Sequence, residues 1–215
     1  MNWIANNSKT STDLVGTIAA AVEQAGSDHI PLFAGTWEGG YWIQQQPDEL
    51  ARLVCLLAAM GPFKSSLEIG IAAGGTTRFI RDFVTIENTL VIDDGKHPRF
   101  PIWQTENKRH VANLYESIID SHSGEARQQL TDYCYHGGDA RKGQFDLVGI
   151  DGDHSAEGIR SDWELVKPFL AAGAVVWFHD IIAVESVKEF WHELRTKYTV
   201  MLETDKLGIG VIRFS

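Results

Sequence analysis

The chain has 215 residues, 44% hydrophobic and 22% charged, enough sequence of ordinary globular composition to bury one sizeable core. Its 29 acidic and 19 basic residues leave a formal charge of −10, which argues against nucleic acid or an anionic membrane as partner, since both need Lys/Arg patches. No apolar run approaches the roughly 18 residues of a membrane span.

The start, Met1-Asn2-Trp3-Ile4-Ala5, lacks the basic and apolar regions of a signal peptide. The only cysteines, Cys55 and Cys134, read as buried free thiols, so a cytoplasmic setting is expected. Residues 1–46 read as an N-terminal helical and lid-like extension, and 47–215 as the main domain. In the extension, Leu14, Ile18, Ala21 and Val22 recur at helical spacing; this helix either packs on the main domain or mediates a homo-oligomer. The aromatic, glycine-rich stretch from Phe33 to Ile43 predicts an ordered loop. Tyr41–Gln46 either closes over a ligand or packs as loop core. Pro47 at a first helical position, with Asp48 and Glu49 behind it, opens a helix buried through Leu50, Leu53, Val54 and Leu57. Gly61-Pro62 ends it.

From Ser66 onward strands and helices alternate. Strand one is expected at Ser66–Ile69, followed by a helix carrying Phe79, Ile80 and Phe83. Strand two is expected at Thr89–Asp93. Arg99–Gln104 is either a substrate lid or packed loop, with Trp42 and Trp103 offering apolar faces for a sugar ring. A long helix is predicted near 105–120 from the register of Val111, Leu114, Tyr115 and Ile118. Strand three is placed around Thr131–His136 and strand four at Phe145–Ile150. A helix on Ile159, Trp163, Val166 and Leu170 leads to strand five at Ala174–Phe178, and one on Val184, Val187, Trp191 and Leu194 follows. Thr199–Leu202 and Gly208–Phe214 predict an antiparallel hairpin. The expectation is an α/β, doubly wound, Rossmann-like seven-stranded sheet, mostly parallel, with a C-terminal antiparallel hairpin and N-terminal helices.

Residues 67–75, Leu-Glu-Ile-Gly-Ile-Ala-Ala-Gly-Gly, form a strand, a glycine turn and a helix start at Thr76. The pattern E-x-G-x-x-x-G-G is neither the G-x-G-x-x-G of a dinucleotide site nor a Walker loop. An acid ahead of the turn suits a ligand with a cationic amino-acid end, as in S-adenosylmethionine. Ligands in such sheets lie beyond the carboxyl ends of the strands. There strand two offers Asp93 and Asp94; Asp93 falls 23 residues after Gly70, where a ribose diol would be gripped. Gly137-Gly138-Asp139-Ala140 follows strand three. Strand four ends Gly149-Ile150-Asp151-Gly152-Asp153-His154, and strand five ends Trp177-Phe178-His179-Asp180.

Glu68-Ile-Gly70 with Gly74-Gly75, Ile150-Asp-Gly-Asp-His154 and Phe178-His-Asp180 together resemble class I S-adenosylmethionine-dependent methyltransferases. The nearest branch holds macrocin-type sugar and catechol O-methyltransferase-like enzymes and cephalosporin-hydroxylase-like proteins. The resemblance implies that Glu68 and the turn (Gly70, Ile71, Ala72, Gly74, Gly75, Thr76) hold the methionine portion. It implies Asp93, or its neighbour Asp94, on the ribose and Asp139 with Ala140 on the adenine. Asp151 and Asp180 would hold a divalent metal, Mg²⁺ by preference, with His154 as general base. His179 stands where metal-dependent relatives often carry an acid and is counted with the candidate ligands.

Independently, strands four and five are expected as neighbours about 4.8 Å apart, which lets Asp151 and Asp180 share one hard cation. His154 is expected at the start of a helix, whose dipole favours a neutral imidazole. The reading is methyl transfer to a hydroxyl of a small molecule, a sugar or glycosylated metabolite favoured. The alternatives are a metal-dependent hydroxylase or hydrolase, or a non-catalytic S-adenosylmethionine-binding module.

Overall fold

The computed structural model describes residues 15–16, 41–136 and 143–215. Its elements are α1 (Pro47–Met60), β1 (Phe63–Ile69), α2 (Gly75–Phe83), β2 (Ile86–Asp93), α3 (Phe100–Thr105), β3 (Leu114–Ile118) and α4 (Gly124–Thr131). They continue with β4 (Phe145–Ile150), α5 (Ala156–Val166), β5 (Leu170–His179), α6 (Glu185–Leu194), β6 (Thr199–Glu203) and β7 (Ile209–Arg213). The helix expected on Leu14 to Val22, most of the Phe33–Ile43 loop, and Asp139 with Ala140 lie outside the described residues.

The chain falls into two compact units. The first comprises Met1–Pro62, Ala72–Ile86 and His97–Val111. Here α1 opens at Pro47 with Asp48 and Glu49 in its first turn, and Leu50, Ala51, Leu53, Val54 and Leu57 are fully buried. Phe79 of α2 meets the Tyr41 ring edge-on at 5.2 Å. Trp103 of α3 is also fully buried, and its indole passes so close to Gly74 that an added Cβ would come within 2.1 Å. Packing, not a ligand-facing lid, accounts for Trp103.

The second unit comprises Phe63–Ile71, Glu87–Lys96 and Ala112–Ser215 and holds the sheet. The strand order is β3-β2-β1-β4-β5-β7-β6. β1 pairs β4, β4 pairs β5 and β2 pairs β3, all in parallel, while β7 runs antiparallel between β5 and β6. This is the Rossmann-like arrangement with a C-terminal hairpin expected above. Its core joins Leu67 and Ile69, Leu90 and Ile92, Val148 and Ile150, and Val176 and Phe178 to Trp163 of α5 and Trp191 of α6. The order reverses between β1 and β4, so the crevice beyond those two carboxyl ends is where such a sheet binds ligands.

Two predicted elements are corrected. The long helix near 105–120 is instead a short α3, a 3₁₀ turn at Asn107–His110 and strand β3. Val111, Leu114, Tyr115 and Ile118 mimic helical spacing, but Asn113 turns left-handed (φ 51°) and Leu114–Ile118 then pairs with Thr89–Asp93. Pairing with an open sheet edge overrides a short periodic pattern. The strand expected at Thr131–His136 is the end of α4 continued as a π turn over Asp132–His136. Its aromatic alternation reflects packing: the Tyr133 ring stacks on Phe145 at 5.2 Å, and Cys134 enters the core.

Gly149 of β4 faces Trp177 of β5, whose indole would lie 2.3 Å from an added Cβ. Gly149→Ala is therefore expected to destabilise the protein by about 1–3 kcal/mol, as overpacking does. Gly124→Ala, in the open first turn of α4, is expected to be neutral or stabilising. Urea-unfolding midpoints of both variants against the parent protein check this pair.

Candidate active site

The crevice between β1 and β4 depends on one close approach. The Gly70 N–H donates to the Ile92 carbonyl, and the Asp151 N–H donates to the Ile69 carbonyl, each at 2.9 Å. These bonds bring the ends of β2, β1 and β4 level. Gly70 has φ 79°, and a Cβ there would sit 2.1 Å from the Asp151 carbonyl oxygen. Only glycine meets both conditions. Glu68, one pleat earlier opposite Gly149, is buried.

The other half of the turn belongs to the first unit. Ala72 is left-handed (φ 47°), as is Gly74 (φ 73°). A Cβ on Gly75 would meet the Tyr41 carbonyl at 2.0 Å, and Thr76 Oγ1 donates to Gln45 Oε1. Within that unit, Gly74 and Gly75 have packing reasons of their own.

Asp93 is 8% exposed, and both its oxygens accept backbone hydrogen bonds: Oδ2 from Ile71 (2.8 Å) and Oδ1 from Gly95 (2.7 Å). It thus ties the glycine turn to the end of β2. Asp94 faces outward and pairs with Lys96 at 2.7 Å.

Beyond β4 and β5 two carboxylates and two imidazoles come together. His154 Nε2 is 3.1 Å from Asp151 Oδ1, and its Nδ1 is 3.6 Å from Asp180 Oδ2. His179 Nδ1 lies 3.4 Å from Asp151 Oδ1 and 3.3 Å from Asp180 Oδ2. One ligand atom each from Asp151, His154 and Asp180 falls within 4.8 Å of the other two. His179 is the buried member beneath the two carboxylates, and its Nε2 has no hydrogen-bond partner among the described residues. Asp180 adopts φ 59° to turn its carboxylate toward this group. Left-handed strain in a non-glycine residue concentrates at functional positions.

The electrostatics follow from proximity. Burial opposes charge on His179, but Asp151 and Asp180 outweigh it and hold its pKa near 10. Burial likewise opposes charge on Asp151; the two imidazoles prevail and hold its carboxyl well below the usual range. His154 was expected to be kept neutral by the helix that follows it. Its pKa is instead raised, first by the hydrogen bond to Asp151, because two adjacent carboxylates outweigh a partial helix-end charge.

The loop carrying these residues is built by its own sequence. Asp153 Oδ1 accepts from the Ser155 N–H at 2.8 Å, and Ser155 Oγ caps α5 by accepting from Gly158. Ser186 of α6 donates its hydroxyl to the His154 carbonyl. Asp153 is therefore a turn builder.

The residues beyond β3 are those the sequence reading missed. Because the strand is Leu114–Ile118, its carboxyl end delivers Asp120-Ser121-His122, not the Gly137–Ala140 segment. The readable signal was Ser123, whose side chain accepts from Ala126 as an N-cap and dates the start of α4.

Asp93→Asn would present an NH₂ to one of the two N–H donors that its carboxylate now receives. A loss of about 1–3 kcal/mol is expected from the buried donor left unpaired. Equilibrium urea unfolding, with the exposed Asp94→Asn as comparison, measures it.

The matched family model is a methyltransferase domain and covers residues 67–181. A search of curated proteins finds no match. Among solved structures, the O-methyltransferase from Bacillus cereus in complex with SAH superposes with a TM-score of 0.60 at 14% identity, over 98% of this chain and 94% of that one. The N-methyltransferase NodS from Bradyrhizobium japonicum, also in complex with SAH, gives 0.58 at 14% identity, over 91% and 97%. TomG, the O-methyltransferase of tomaymycin synthesis from Streptomyces achromogenes in complex with SAM, gives 0.59 at 15% identity, over 92% and 89%. At these identities the likeness is one of fold, whereas the family model spans more than half of the sequence. The chain belongs to the methyltransferase-domain family and carries the class I S-adenosylmethionine-dependent fold.

Proposed function

We propose that this protein transfers a methyl group from S-adenosylmethionine to a hydroxyl of a small molecule, a sugar or glycosylated metabolite being favoured. The observation that carries the reading is the convergence of Asp151, His154 and Asp180 beyond β4 and β5, beside the point where the strand order reverses. The cofactor supplies an electrophilic methyl on a sulfonium. Glu68 and the backbone at Gly70 and Ile71 receive its amino-acid end. Asp93 meets the ribose from the end of β2, where two backbone N–H groups fix its carboxylate. Asp94 is the outward alternative. For the adenine we assign Asp139 with Ala140 as the resemblance implies, and Asp120 with His122, which follow β3, as the alternative.

The donor set of two carboxylate oxygens and one imidazole nitrogen fits a hard divalent cation such as Mg²⁺ or Mn²⁺. Asp151 and Asp180 would hold it, with His179, 3.4 and 3.3 Å from the two carboxylates, as the third candidate ligand and His154 left to act as base. Such a cation lowers the pKa of an alcohol and orients it. His154 is the base that takes the acceptor's proton. Alignment of the acceptor oxygen with the methyl supplies much of the rate gain, because charge disappears as sulfonium becomes thioether.

Calorimetric titration with S-adenosylhomocysteine, in Mg²⁺ and again in EDTA, tests the donor assignment. Binding in both conditions is expected, which places the metal on the acceptor side. Absence of binding in either would bring the metal-dependent hydroxylase or hydrolase alternative to the front. With an acceptor in hand, His154→Ala and Asp151→Asn are each expected to lower turnover about 10²-fold or more, while His154→Ala leaves cofactor affinity near the parent value. Full turnover in either variant would remove that residue's role.

A further inference from the structure

Asp162 lies on α5, away from the cluster just described, and is completely buried. A carboxylate in that position is costly unless something depends on it. Burial pushes its pKa up, and the groups opposing that shift come from two different loops. From the loop after β3, Ser121 Oγ donates to Oδ1 at 2.6 Å and His122 Nε2 lies 3.2 Å from the same oxygen. From the loop after β4, the Asp153 backbone N–H lies close enough to favour the charged carboxylate, while Oδ2 makes no hydrogen bond among the described residues. Gly152 lies directly over Oδ2, where an added Cβ would come within 2.8 Å. The loops joined this way are Asp120–His122 and Asp151–His154. His122 is only partly exposed, and its other nitrogen is 3.9 Å from Asp120.

From this geometry we infer that Asp162 is a positioning residue that couples the β3 loop to the β4 loop. It sets the height of the Gly152–Asp153 turn, and so of Asp151 and His154, according to how Ser121 and His122 are held. The inference rests on the proposed function in one respect: the β3 loop is taken as the adenine side and the β4 loop as the acceptor side. Adenine seated on the first would then fix the second. The physical basis is that Ser121 and His122 both engage Oδ1 and so fix the rotation of the carboxylate, whose other oxygen lies against Gly152. Moving one donor shifts the best position for the others.

The test reads the β4 loop while changing the β3 loop. Backbone amide resonances of Gly152, Asp153 and His154 are followed in the full chain bearing Ser121→Ala, Asp162→Asn and both together. Titration with S-adenosylhomocysteine runs alongside. Ser121→Ala is expected to displace the Gly152 and Asp153 amides, although Ser121 lies outside that loop, and to weaken S-adenosylhomocysteine about tenfold, the size of one lost hydrogen bond. In the Asp162→Asn background the same change should add less than about twofold. If Asp162→Asn fails to fold, His122→Gln and His122→Leu decide. Glutamine can donate to Oδ1 and should keep the amides in place, whereas leucine should displace them. Unmoved Gly152 and Asp153 amides in Ser121→Ala and His122→Leu, or multiplicative effects in the double variant, would overturn the coupling. If the amides respond but the parent protein does not bind S-adenosylhomocysteine, the coupling stands and the methyltransferase reading fails.

Discussion

The contact between Gly70 and the Asp151 carbonyl is the constraint on which the site depends. Where β1 and β4 part, the backbone of one strand end must pass within what would be a side chain's radius of the other. A glycine with left-handed torsion lets it do so. Asp93 completes the joint from the other side by taking the Ile71 and Gly95 N–H groups. These contacts are made by backbone or to backbone, so the position of the rim does not rest on flexible side chains.

Charge balance is the second organising principle. Two carboxylates and two imidazoles occupy a recessed patch, where Asp151 and His179 each favour the other's charged form against burial. His179 is the member most removed from water; Asp151 and Asp180 overcome the desolvation that would otherwise neutralise it. The left-handed Asp180 stores backbone strain of order 1 kcal/mol or more, and its carboxylate reaches the cluster in return. Asp162 repeats the device one layer back, as a buried carboxylate held at Oδ1 by Ser121 and His122 of one loop and packed at Oδ2 against Gly152 of another.

Much of this was legible beforehand, at particular residues. Gly70, Asp93, Asp151, His154, His179 and Asp180 each follow an apolar strand in the sequence, and parallel pairing carries them to one rim. The third strand was not legible. Leu114–Ile118 is an edge strand with exposed Tyr115 and Ile118, so it lacks the apolar run that marks a central strand. Its residues also fit a helical period, and the aromatic alternation at Tyr133 and Tyr135 was the more strand-like signal. Misplacing it moved the loop after β3 from Asp120–His122 to Gly137–Ala140. The upward shift of the His154 pKa was not legible for a related reason: the helix behind it is visible in the sequence, but its hydrogen bond to Asp151 and its approach to Asp180, 26 positions later, are not.

The sequence by itself determined the alternation of strands and helices, the glycine turn after β1 and the acids closing β2, β4 and β5. These are local patterns, set by periodicity and by what one residue's torsions allow. Only the tertiary structure decided which segment pairs with Thr89–Asp93, which imidazole lies beneath the carboxylates, and that Asp162 meets both Ser121 and Asp153. Those outcomes depend on distances between residues far apart in the chain, and burial then sets the strength of each interaction. Lowered dielectric and lost water turn such approaches into a charge network, and neither exists until the strands have paired.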